Sequence, residues 1–164
     1  MSNDILFATE EQQAAMNAGQ TEDTIEVDSE KYLLFLSDNL KLGVSAEYVV
    51  EIITNYMITY LPMVPDFIRG IINLRGQIIP IVDVRLRLGK ETIADSLVIV
   101  LNVKGTLVGI LVDSVDQMVD IPKDILFPMP ANSVQQLVSG MCSLPNDGST
   151  MMVLDCDQLM PHEL

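Results

Sequence analysis

The residues able to do chemistry are few and badly placed for it. The chain has a single histidine, His162, near its C-terminus. A histidine-centred acid–base pair, nucleophilic triad or zinc site therefore lacks its central group, and His162 reads as a surface tail residue. Cys142 and Cys156 are too far apart for a CxxC redox pair and have no metal-ligand partners around them, so structural free thiols are expected. Leu88-Gly89-Lys90-Glu91 has the Gly-Lys of a phosphate loop without its grammar. Position 84 is Val where a Gly is needed, and Glu91 stands where Ser or Thr would hold magnesium. No GxGxxG occurs. Asp113, Asp116 and Asp120 lack the alternating carboxylates, sixth-position Gly and closing Glu of a calcium loop. No active site is nominated and no cofactor is implied, so the function should be binding.

One stretch stands out for recognition. Five of the nine Lys and Arg residues (Arg69, Arg75, Arg85, Arg87, Lys90) lie between Arg69 and Lys90, where Asp83 is the sole acid. On an acidic chain such a patch suits an acidic partner surface. Pairing of these cations with the chain's own carboxylates is the competing reading. Within the stretch, Phe67–Leu74 and Gln77–Val84 read as two strands meeting at an Asn73-Leu74-Arg75-Gly76 corner. There Gly76 would take a positive φ or let a backbone approach closely, and Gly70 would be similarly constrained.

The surrounding charge narrows the partner further. The net charge is −14, with 23 acids against nine bases. Such a surface repels nucleic-acid backbones and anionic lipid. Residues 1–30 carry eight acids and no Lys or Arg, leaving a net of −6 beyond them. Residues 1–29, polar and without an apolar period, read as a flexible acidic N-terminal tail with a transient helix over Glu10–Asn17. No basic segment followed by an apolar run opens the chain, and the apolar runs Leu97–Leu101 and Leu107–Val112 are far below the roughly 18 residues that span a bilayer. A cytoplasmic protein without membrane insertion is expected.

Residues 30–164 should form the folded domain, and hydrophobic residues, 49% of the chain, are ample for its core. Lys31–Ser37 and Leu40–Ser45 around Asp38-Asn39 predict a hairpin. Ala46, Val49, Val50 and Ile53 fall at helical spacing and predict a short amphipathic helix, with Glu51 away from its apolar face. Tyr56–Leu61, Leu97–Val103, Thr106–Val112, Val115–Ile121 and Met151–Asp155 predict further strands, and Cys156–Met160 a last helical turn. Pro80, lacking an amide donor, is expected at a sheet edge or bulge. Eight to ten short, mostly antiparallel strands with close-set turns indicate an all-β protein of small barrels or a sandwich.

From Lys31 to Met160 the ordered segments resemble the CheW family: the opening YLLFLSDNLKLGV, the segment VVEI, the motif FIRGIINLRGQIIPIVDVR, the strand pair LVIVLNVKGTLVGILVDSV and the closing MMVLDCDQL. The resemblance implies two packed five-stranded SH3-like β-barrels with a few short helices and a shared apolar core. It also implies a non-catalytic adaptor between the cytoplasmic tip of a methyl-accepting chemoreceptor and the regulatory domain of the histidine kinase CheA, in arrays at the inner face of the membrane. Positions matching the family's receptor contacts are Val49, Glu51, Gly70, Arg75, Leu97, Gly109 and Met118, with Arg75 paired to Glu51 near a groove between the barrels. Arg69 and Ile78 match its kinase contact. At Pro128-Met129-Pro130-Ala131-Asn132 the chain departs from relatives that carry a bulky apolar residue where Asn132 stands. A small-molecule-binding or enzymatic barrel is the alternative, and would need convergent polar groups in a pocket that the sequence does not show.

Overall fold

The computed structural model describes residues 28–94, 96–129 and 137–161. The expected tail helix over Glu10–Asn17, the departure at Asn132 and the tail placement of His162 lie outside the described residues. Among the described residues eleven strands form two sheets: β1 (Ser29–Ser37), β2 (Leu40–Ser45), β3 (Val49–Ile53), β4 (Ile68–Leu74), β5 (Gln77–Asp83), β6 (Leu97–Val103), β7 (Thr106–Val112), β8 (Ser114–Pro122), β9 (Phe127–Pro128), β10 (Val138–Ser143) and β11 (Thr150–Leu154). The first sheet has the order β8-β1-β2-β11-β10-β9 and the second β3-β6-β7-β5-β4. The one α-helix among the described residues, α1, is the four-residue turn Val84–Arg87.

Each sheet curls around its own apolar core, and a third core joins them. Tyr32 and Leu34 of β1 pack with Val119, Ile121, Cys142, Leu144 and Met151, which come from both ends of the first sheet. Ile72, Ile79, Ile81, Val98, Val100 and Leu111 fill the second barrel. The alternate residues of the same strands, Leu33 and Phe35 of β1, Ile99 and Leu101 of β6, and Val108 and Ile110 of β7, meet in the shared core. These strands are buried on both faces, which is why they read as continuous apolar runs rather than alternating ones.

The two barrels repeat one plan. The central hairpins β1–β2 and β6–β7 are each flanked on one side by an antiparallel edge strand (β8 and β3) and on the other by a parallel strand (β11 and β5). Each parallel strand pairs in turn with an antiparallel partner, β10 or β4, whose register shifts before a glycine, Gly140 or Gly70. Beyond lies β9 in the first barrel and a single Thr59–Ile71 bridge in the second. The expected pair of barrels is thus present, with β9 added to the first sheet as a sixth strand.

Several local expectations need correction. Ala46–Tyr48 winds as a 3-10 turn, and Val49–Ile53 extends as β3 instead of continuing a helix. The helical spacing of Ala46, Val49, Val50 and Ile53 was a coincidence, and the four β-branched residues of Val49–Ile53 favour a strand once pairing with β6 is available. Tyr56–Leu61 is no strand beyond the Thr59 bridge. Pro80 sits in β5, which lies between two neighbours, but one residue before the β5–β7 ladder begins at Ile81. Strand β1 begins at Ser29, inside the span expected to be tail.

Candidate functional site

The Asn73–Gly76 corner is a two-residue hairpin turn in which both central residues have positive φ, Arg75 at 51° and Gly76 at 85°. This twist matches that of the strands it joins. The Asn73 side chain accepts the Gly76 amide at 3.0 Å and fixes the turn. Of the two expected reasons for Gly76, the positive φ is the one present: a Cβ there would meet nothing within 4 Å of the chain. Gly70, three residues before Asn73, is the opposite case. Its φ is 142° and a Cβ would stand 2.1 Å from the Thr59 carbonyl oxygen, because the segment bridged to Ile71 passes directly over it.

From this turn the Arg75 guanidinium reaches across to Glu51 on β3 and donates two hydrogen bonds, at 2.7 and 3.0 Å. Strands β3 and β4 are the two edges of the second sheet, so the pair ties the β4–β5 turn to the opposite edge. Arg75 remains 74% exposed and Glu51 23%. The fork geometry holds the Glu51 carboxyl below its ordinary pKa, chiefly through the hydrogen bonds from Arg75, and raises that of Arg75 in turn. Along the same strands, Val50 and Ile52, which flank Glu51 in β3, and Ile78 of β5, the last 59% exposed, present apolar side chains to solvent.

The other expected contact residues are scattered. Val49 and Leu97 are half-buried against the shared core. Gly109 is buried, a Cβ there meeting Ile81 and Val98 within 3 Å, so like Gly70 it can act on a partner only through the strands it packs. Met118 is exposed on β8, in the other sheet. Arg69 turns toward Asp83 at 3.4 Å and toward the Thr92 hydroxyl at 2.6 Å. Direct side-chain contact within the set therefore joins Glu51 and Arg75.

The basic stretch as a whole is internally partnered. Arg69 meets Asp83, Arg75 meets Glu51, Arg85 meets Asp113 and Asp38, and Lys90 meets Asp38. Arg87 lies over the Phe67 ring, 4.6 Å from its centroid, and donates to the Gln158 carbonyl. A free cationic patch for an acidic partner is not what the residues build. The exposure of Val50 and Ile52 was missed by sequence reasoning; the signal was two apolar residues flanking an acid on what proves to be an edge strand. Cys142 and Cys156 are both free and buried, and burial pushes the Cys156 thiol up to about 12. Among the described residues no group of three His, Cys, Asp or Glu could hold a metal ion, and no helix is long and apolar enough to cross a membrane.

Comparison with known proteins bears on what this arrangement serves. The model of the CheW-like domain family matches residues 31–164. The chemotaxis protein CheW of Klebsiella aerogenes is 31% identical over 142 residues, covering 84% of this chain and 86% of the relative. Protein FrzA of Myxococcus xanthus is 31% identical over 104 residues, covering 62% and 65%. The crystal structure of the scaffolding protein TtCheW from Thermoanaerobacter tengcongensis superposes with a TM-score of 0.70 at 28% identity, over 78% of this chain and 90% of that one. With its two-barrel fold and its Asn-Leu-Arg-Gly corner, the chain belongs to the CheW family of non-catalytic chemotaxis scaffold proteins.

Proposed function

We propose that this chain couples the cytoplasmic tips of chemoreceptors to the regulatory domain of the kinase CheA, with the Arg75–Glu51 corner as the centre of its receptor contact and Arg69 and Ile78 in its kinase contact. The observation that carries the reading is the exposed, bidentate Arg75–Glu51 pair, joined to strands β3 and β5 that also leave apolar side chains uncovered. Protein contacts concentrate their energy in a pre-positioned arginine with apolar neighbours, and an arginine already held by a carboxylate loses little rotamer freedom on binding. Gly70 and Gly109 support the site from beneath, and Val49 and Leu97 connect it to the shared core. Mixing the chain with a receptor-tip fragment and CheA tests the reading. A complex containing all three is expected on size-exclusion chromatography, and a folded chain that binds neither partner would contradict it.

A further inference from the structure

The repeat of one plan in both barrels exposes a pattern in their charges. The central hairpin of each barrel turns on two residues of positive φ, and the first of these is Asp38 in one barrel and Lys104 in the other. In each barrel an aspartate at the end of the parallel strand caps a helical turn, Asp155 just after β11 and Asp83 as the last residue of β5. The backbone amides of both donate to equivalent carbonyls, of Leu137 and Phe67, at 2.7 Å. Two residues beyond the cap stand Asp157 and Arg85. These equivalent positions meet crosswise at the seam. Arg85 of the second barrel reaches Asp38 of the first at 3.4 Å, with Lys90 at 3.7 Å, and Lys104 of the second barrel pairs with Asp157 of the first at 3.1 Å.

The first barrel thus offers an acid at both contact points and the second a base at both. The core between them cannot supply that discrimination: it is apolar, and apolar attraction has no direction. Two barrels of the same plan could pair like with like through the same surfaces. That arrangement would set Asp157 against Asp38, or Arg85 against Lys104, and like charges at a contact reject a wrong partner. We propose that these four positions form a two-ended polarity code that fixes how the first barrel docks on the second and rejects like-on-like docking. The two ends differ in strength. The Lys104–Asp157 pair is exposed, whereas Arg85 is also clamped by two hydrogen bonds to Asp113, the single residue linking β7 to β8.

A charge swap tests the code without reference to the coupling function. Spin labels at Asn55→Cys and Gln117→Cys, exposed positions in opposite barrels, report the inter-barrel distance distribution in the full chain at low ionic strength. Lys104→Asp and Asp157→Lys should each broaden it, and the double swap Lys104→Asp/Asp157→Lys should return it to the parent width. Broadening should fade in roughly 0.5 M salt, where charges are screened within a few ångströms. Arg85→Met, at the stronger end, should broaden it most, and Arg85→Lys should recover part of the loss. A double swap no narrower than the singles, or an Arg85→Met distribution superimposable on the parent, would overturn the proposal.

Discussion

Two arginine forks of the same chemistry sit in opposite settings. At the β4–β5 corner, Arg75 grips Glu51 while staying 74% exposed. At the β7–β8 crossing, Arg85 grips Asp113 through Nε and Nη2 at 2.8 and 2.6 Å, with side chains only 18% and 20% exposed. The Asp113 carboxylate also accepts the Asp38 amide, and its own backbone amide donates to the Leu36 carbonyl. The crossing fork is woven into the backbone of both barrels, whereas the corner fork touches little beyond itself. Equal bonds therefore carry unequal structural weight: water screens the first pair, and the enclosed pair cannot lose a partner without stranding a charge. An arginine already held in position yet left open to solvent is what a contact surface requires.

The glycines of the corner give the sharpest contrast. Gly70→Ala should cost on the order of 3 kcal/mol or more, since its Cβ would meet the Thr59 backbone at 2.1 Å in a φ that side chains avoid. Gly76→Ala meets no atom and should cost only about 1 kcal/mol, from φ alone. Gly76→Asn should recover part of that, because Asn tolerates left-handed backbone. Urea unfolding of the three variants checks the order, and equal costs for Gly70→Ala and Gly76→Ala would break the contrast.

The forks should also separate under acid. Glu51 and Asp113 both titrate below their ordinary values of 4.5 and 3.8, chiefly because of the hydrogen bonds from Arg75 and Arg85. The unfolded chain therefore takes up protons first as pH falls. The stability these carboxylates contribute is whole above about pH 5 and is lost as pH drops through their folded pKa values. Asp113→Asn should lower the urea midpoint at pH 7 and flatten its decline toward pH 3, and Glu51→Gln should do both more weakly. A Glu51→Gln effect equal to that of Asp113→Asn would mean the corner is structural after all. The smallest effect is expected from removing residues 1–27. We propose that this acidic segment is separable from the fold, so its deletion should move the melting midpoint by less than about 2 °C.

Much of this was legible in the sequence, for reasons that also mark where legibility stopped. Asp38-Asn39 and Arg75-Gly76 each announced a hairpin because few residues accept two successive positive φ angles. Local chemistry settled those turns. Strand β10 escaped notice because its buried positions include Gly140 and Cys142 between serines, which carry little apolar signal. Val49–Ile53 misled because periodicity in so short a segment cannot tell a helix from a strand whose partner, β6, lies far along the chain. The Arg75–Glu51 pair was expected from the family resemblance. The pairing of Arg85 with Asp113 and Asp38 depends on how the barrels meet, which no local pattern encodes.

The proposed coupling role of the corner is tested most directly by Arg75→Ala and Arg75→Lys, each followed by thermal melting and by CheA activity in reconstituted receptor arrays. Because the fork is exposed, Arg75→Ala should melt within about 3 °C of the parent. It should also weaken assembly roughly 30-fold, the loss typical of an anchoring residue at a contact. Arg75→Lys should recover only part, since an ammonium cannot reproduce the two-bond grip on Glu51. A variant that melts like the parent and activates CheA as fully would contradict the assignment, and one that unfolds would make Arg75 a structural residue.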